Sequence, residues 1–221
     1  MRNLLPTKDQ RQLRLMETLI QHRDWLKLHE LADMLGCTER ILKSDLNELR
    51  TTFPTIDIQS SISGIMIDLE VNTSFEDVYQ YFLAHSQSFR LLEYLFFNEG
   101  LPIYRTIENL HSSNANLYRL GRNITKVLSS QFQIELSFTP SEIRGNEIDI
   151  RYFFAQYFSE RYYFLDWPFP DLPEEDLTEF IDFFYKITNY PMRFSIYRMY
   201  KLMIAISIYR IKNGHFIDLP N

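Results

Sequence analysis

Six cations stand out by type and spacing: Arg40, Lys43 and Arg50 in one segment, and Arg119, Arg122 and Lys126 in another. Hydroxyls and amides fall among them at helical intervals, Thr38, Ser44 and Asn47 in the first segment and Asn114, Asn116 and Asn123 in the second. Guanidinium and ammonium groups interleaved with amides on one helix face suit phosphate contact and hydrogen bonding to base edges. A solvated helix face is the competing reading. Other reactive types are too dispersed to build a site. His22, His29, His85, His111 and His215 form no i, i+4 pair and have no carboxylate cluster at metal-ligand spacing. Cys37 is the only cysteine, which excludes an intrachain disulfide and reads as a packed small residue. Six scattered glycines cannot make a phosphate-cradling loop. The acids of DLPEEDLTEFID sit where a helix begins and read as partners of its dipole. No catalytic residue, metal ligand or cofactor is expected, and the chain does not read as an enzyme.

The cations matter only if the chain holds them outward. Leu13, Met16, Leu19 and Ile20 predict an amphipathic first helix over residues 7–22. Leu28, Leu31, Met34 and Leu35 continue the period to Gly36, which suits a helix C-terminus, and Thr38 can cap the next helix. In that helix Leu42, Leu46, Leu49 and Phe53 form the inward stripe. Arg40, Lys43, Asn47 and Arg50 are left on another face, with Glu39, Asp45 and Glu48 diluting the charge. Alternation then replaces helical periodicity. Ile56 and Ile58, a serine-rich tip, Gly64, and Ile65, Ile67 and Leu69 predict a β-hairpin. Three helices followed by a hairpin is the order of a winged helix.

The same plan returns roughly 76 residues later. SFEDVYQYFLAHSQSFRLLEYLFFNEG predicts two linking helices, the second doubling as the first helix of the new unit. Pro102 suits a helix start, and Ile103, Ile107 and Leu110 give the next apolar side before a turn at Ser112 and Ser113. Leu117, Leu120, Ile124, Val127 and Leu128 face inward on the following helix. FQIELSFTPSEIRGNEIDI alternates around an expected Pro140–Gly145 turn, which would place Arg144 near the tip of a second wing. Beyond Arg151 the chain turns aromatic, with nine Phe or Tyr and one Trp in RYFFAQYFSERYYFLDWPFP, and three prolines in DWPFPDLP stop any helix. Leu177, Phe180, Ile181, Phe184 and Ile187 predict one more helical stripe. Residues 192–212, with Met192, Ile196, Met199, Leu202, Met203, Ile206 and Ile208, predict a helix apolar on most faces. It needs covering, by further chain or by a partner.

The net charge of −6 is unlike a simple nucleic-acid binder. Its distribution softens that objection. Residues 51–150 carry twelve acids against six cations, yet no acid lies between Glu108 and Glu135, where Arg119, Arg122 and Lys126 fall. Charge farther than roughly 8 Å away is largely screened at physiological salt. No apolar run is long enough to span a membrane and the start MRNLLPTKDQRQ is unlike a secretory signal, so a cytoplasmic location is expected.

Taken in order, SSNANLYRLGRNI, the run IRGNEIDIRYFFAQYF, the DWPFP linker and AISIYRIKNG leading to His215 resemble the N-terminal portion of the Mga/AtxA-type virulence regulators of Gram-positive bacteria. The resemblance implies a mainly α fold with small β-hairpin wings. Tandem winged helix-turn-helix domains at 1–72 and 73–150 would precede an aromatic linker and an incomplete helical-bundle regulatory domain at 151–221. It implies a transcriptional regulator that binds double-stranded DNA, forms a homodimer through its C-terminal helical region, and answers to phosphotransferase-system proteins. Members can accept a phosphoryl group on a histidine near the start of the second regulatory helix. Here that helix reads FSIYRMYKLMIAISIYR, with Arg198 or a tyrosine in that place, and His215 lies beyond it. Which residue would be phosphorylated is left open. The alternative, without the resemblance, is a winged-helix protein-interaction module that does not touch DNA.

Overall fold

The computed structural model describes residues 1–69, 74–163, 166–188 and 194–217. The expected helix start at Met192 and the expected division at 72/73 lie outside these residues. The chain forms two compact bodies, Arg2–Ser86 and Gln87–Asn221.

In the first body a short 3-10 turn, Arg2–Leu4, leads into α1 (Thr7–His22), α2 (Leu28–Leu35) and α3 (Glu39–Thr52). α1 ends at Arg23 and α2 at Gly36, both in the left-handed region, so each helix stops where the next must turn. Thr38 caps α3 by accepting from the Ile41 N–H. Leu42, Leu46 and Leu49 are buried, together with Leu13, Leu15, Met16 and Leu19 of α1 and Leu31 and Leu35 of α2. Phe53 lies at the helix end, half-buried, edge-on to Tyr81. β1 (Ile56–Ser61) and β2 (Gly64–Leu69) form an antiparallel hairpin in which Ile58 pairs with Ile67 and Ser61 with Gly64. Ile56, Ile58, Ile65 and Ile67 all turn to the core. The hairpin is also stitched to the segment before α2, because Leu26 and Ile65 exchange both backbone hydrogen bonds. A Cβ on Gly64 would stand 2.2 Å from the Leu26 carbonyl oxygen, so only glycine permits that approach. α4 (Phe75–His85), capped by Ser74, packs on α1 and completes this body.

The second body repeats the plan with α5 (Gln87–Phe97), α6 (Ile103–Leu110), α7 (Asn114–Phe132), β3 (Glu135–Phe138) and β4 (Ser141–Arg144). Ser113 caps α7 by accepting from the Asn116 N–H. α8 (Glu147–Tyr162) follows, then α9 (Glu174–Thr188) and α10 (Phe194–Lys212). The aromatic run is explained by α8, which is covered on nearly every side: Phe153, Phe154, Tyr157 and Phe158 are all buried. Phe153 meets Phe132 of α7, Phe154 meets Phe96 of α5, and α10 packs along the same helix. Phe169 of the proline-rich segment closes this cluster against Tyr209. The stripe expected on α9 is only partly covered. Leu177 and Ile181 are buried, while Phe180, Phe183, Phe184 and Ile187 are more than half exposed. Among the described residues no helix is long and apolar enough to cross a membrane.

Candidate nucleic-acid interface

The two winged units each hold a polar, mostly basic helix face beside a hairpin. On α3, Arg40, Lys43, Ser44 and Asn47 are exposed and Thr38 stands exposed at the cap. They share one face because 100° per residue brings positions 40, 43, 44, 47 and 50 to one side. Lys43 lies 4.0 Å from Glu39, an exposed i, i+4 pair. Arg50 is half-buried and tied down. Its Nε donates to the Ile58 carbonyl at 2.9 Å, Nη1 to the Asn47 amide oxygen at 3.2 Å and Nη2 to the Ser60 hydroxyl at 2.5 Å. Arg50 therefore braces the hairpin against the helix, and its charge lines a groove of about 380 Å³ between them with Lys43, Asn47, Ser60 and Ser61.

The outward face of α3 carries less acid than its sequence suggests. Asp45, expected to dilute it, is 2% exposed and accepts from Arg11 Nε at 2.6 Å, Arg11 Nη2 at 3.1 Å and Gln12 Nε2 at 3.2 Å. Glu48 is held by Lys8 and Gln12 of the same helix, α1. Both carboxylates thus fasten α3 to α1, Asp45 from the buried side opposite the basic face. Asp45 sits at i+3 from Leu42, one turn along the inward stripe, and that spacing is the signal that could have revealed it. The tip holds another residue missed in sequence: Ile62 is fully exposed between Ser61 and Ser63.

On α7, Arg119, Arg122, Asn123 and Lys126 are exposed, as is Asn114 in the first turn. Asn116 is half-buried and spends its amide inside the protein. Its Nδ2 donates to Gln87 and Ser112, and its Oδ1 accepts from Arg119 Nη2 at 2.8 Å, which orients the Arg119 guanidinium. Here too the hairpin is fixed to the helix. The Leu136 N–H donates to the Thr125 hydroxyl, and the Phe138 ring lies where a Cβ on Gly121 would be, 2.4 Å away.

The second wing differs from expectation at its turn. β4 runs to Arg144 and pairs Phe138 with Ser141, so the turn is Thr139–Pro140 and not Pro140–Gly145. Pro140 has no N–H to give a ladder, and the two-residue tip is where none is needed. Arg144 pairs with Glu135 at the far end of the hairpin from the tip and bonds Glu142 beside it. Both wing tips consequently lack a cation.

The pKa of the Cys37 thiol, half-buried in the turn before α3, is pushed up by burial, against the opposing charge of Arg11. Among the described residues no group of three or more His, Cys, Asp or Glu is gathered for a metal ion.

Residues 7–65 match the M protein trans-acting positive regulator (MGA) HTH domain, residues 71–158 the Mga helix-turn-helix domain, and residues 173–221 the M protein trans-acting positive regulator (MGA) PRD domain. A putative trans-acting regulator of Streptococcus pneumoniae serotype 4 is 46% identical over 99% of this chain and 44% of its own length. The chain belongs to the Mga/AtxA family. Two Mga/AtxA relatives from Bacillus anthracis are more distant. The capsule synthesis positive regulator AcpA is 26% identical over 93% of this chain and 43% of its own, and the anthrax toxin expression trans-acting positive regulator is 26% identical over 94% and 44%. The chain thus spans less than half the length of these Mga/AtxA relatives.

Proposed function

We propose that this chain is the DNA-binding portion of a cytoplasmic transcriptional regulator, acting on double-stranded DNA by binding and not by catalysis. One or both of α3 and α7 enter the major groove, each with its own hairpin beside it on the backbone. The observation that carries this reading is the repetition of one device. In both units a side-chain-capped helix turns cations outward and is cross-braced to a hairpin, by Arg50 in one and by Thr125 and Phe138 in the other. Arg40, Lys43 and Asn47, with Ser44 and the α3 cap at Thr38, serve the first unit; Arg119, Arg122, Asn123 and Lys126, with Asn114, serve the second. The acid-free α7 supplies more of the electrostatic grip. Arg50 and Asn116 act mainly by orienting their neighbours, and Arg144 contributes at the hairpin base.

The exposed phenylalanines of α9 support a homodimer formed through the C-terminal helical region. The PRD match supports control by phosphotransferase-system proteins.

Fluorescence anisotropy on duplex DNA across a salt series tests the proposal. Observed affinity should fall steeply with salt, and the double change Arg119→Ala with Lys126→Ala should flatten the slope by roughly one unit per residue. An unchanged slope removes α7 as a phosphate-binding helix. Absence of binding at low salt and micromolar protein favours a protein-interaction module.

A further inference from the structure

The two wings are seated on their units in different ways. In the first body the strand β2 is held to the segment before α2 by two backbone hydrogen bonds, Leu26 N–H to Ile65 at 2.9 Å and Ile65 N–H to Leu26 at 2.8 Å. In the second body the equivalent segment before α6 makes only one of these with backbone, Gly100 N–H to the Ser141 carbonyl at 2.7 Å. The other is made by a side chain: the Ile143 N–H donates to Glu99 Oε1 at 3.0 Å.

That carboxylate is 8% exposed, and its second oxygen is neutralised from the end of α10. Arg210 Nη1 donates to Glu99 Oε2 at 2.6 Å, and His215 Nε2 lies 2.8 Å from the same oxygen. Arg210 is itself 1% exposed and spends its remaining nitrogens on Glu147 at the start of α8, Nη2 at 2.7 Å. Arg151 bonds Glu147 at 2.8 Å and reaches the His215 carbonyl at 3.1 Å. A buried carboxylate without its cation is strongly unfavourable. If the end of α10 withdraws, Glu99 must take up a proton or turn to water, and in turning to water it leaves the Ile143 N–H without its acceptor.

We infer that Glu99 and Arg210 form a latch by which the last helix positions the second wing, so that the seating of β4 depends on α10 while β2 is joined to the segment before α2 by backbone bonds alone. Glu99 and Arg210 are positioning residues: neither stands on the outward face of α7. The latch couples the segment matched to the PRD domain to the hairpin braced against α7 through Phe138 and Thr125. Its consequence for DNA rests on the function proposed above; the latch itself does not.

Hydrogen exchange on the full chain, without DNA, tests it. Arg210→Met should speed exchange in Glu135–Arg144 by at least about tenfold, the worth of a charge-assisted hydrogen bond, and leave Ile56–Leu69 unchanged. Adding Glu99→Gln removes the stranded charge and keeps an amide oxygen for the Ile143 N–H, with Arg151 still serving Glu147. The double variant should return the second hairpin to within about threefold of the parent. If Arg210→Met alone does not fold, recovery of a folded chain with a protected second hairpin in the double variant gives the same support. A double variant as loose or unfolded as the single one overturns the latch, because Arg210 would then act through packing alone. Loosening of both hairpins together, or of neither, overturns it as well. Failure of the parent chain to bind DNA would count against the DNA reading and leave the exchange result standing.

Discussion

Replacing Asp45 with alanine should cost the first body a large part of its stability while leaving every outward residue of α3 in place. The change removes three hydrogen bonds at once, two of them within an ion pair to Arg11. Breaking a buried pair costs about 3–5 kcal/mol when the survivor stays buried. The Arg11 side chain retains 21% exposure and can turn to water, and Gln12 keeps its bond to Glu48, so the loss falls at or just below the lower end of that scale. A loss of about 2–3 kcal/mol follows, equivalent to a fall in melting temperature of roughly 10–20 °C for a body of this size. Urea titration followed by Trp25 fluorescence in a Trp167→Phe background reads the first body separately, because the two tryptophans lie in different bodies. The denaturant slope should be unchanged while the midpoint falls. Glu39→Ala serves as the internal comparison. It breaks an exposed pair at 4.0 Å on the same helix and should cost less than about 0.5 kcal/mol. Equal effects of the two substitutions would refute the assignment of Asp45 as the fastener of α3 to α1.

Gly64→Ala should cost about 2–4 kcal/mol and weaken protection of the Ile65 and Leu26 amides in hydrogen exchange, because its methyl group meets the Leu26 carbonyl and φ is +134°. Gly121→Ala should destabilise the second body by about 1–3 kcal/mol in a denaturant titration followed by Trp167, by displacing the Phe138 ring, despite the better helix propensity of alanine. Burial alone would raise the Glu147 carboxyl, but hydrogen bonds from Arg210 and Arg151 outweigh it and hold it below the ordinary 4.5. Its contribution is therefore full above that value and is lost as pH falls through the lower folded one; thermal melts from pH 6 to pH 3 should show this acid loss in the parent and less of it in Glu147→Gln. Cys37 should react with a thiol reagent much more slowly at pH 7 than free cysteine does, and equal rates would contradict a thiol raised by burial.

The outward polar faces of α3 and α7 were legible because helix periodicity sorts residues without reference to anything distant. Thr38, Gly36 and the stripe of Leu42, Leu46 and Leu49 fixed α3 locally, and the cations had only one side left. The first hairpin was legible for the same reason, its isoleucines alternating about a glycine whose backbone must approach Leu26. What escaped depends on contacts between distant parts of the chain. Asp45 reads as a surface acid until Arg11 is beside it, 34 residues earlier, and Glu99 until Arg210 meets it, 111 residues later. The second turn was misplaced because Pro140 and Gly145 both signal a reversal, and only the pairing of Phe138 with Ser141 separates them. On α9, periodicity grouped Leu177, Phe180, Ile181, Phe184 and Ile187 correctly as near neighbours, but it carries no information on what covers them.

The unequal seating of the wings also sets unequal terms for evolutionary change. A strand joined to the segment before its helix by backbone bonds alone asks nothing of the side chains at positions 26 and 65 beyond their fit in the core. A hairpin held through a carboxylate ties position 99 to position 210, so a lineage that loses the arginine is under pressure to lose the acid too. Drift in the first unit is thereby local, whereas drift in the second has to be matched across more than a hundred residues, and paired replacement at 99 and 210 is the trace it should leave among relatives.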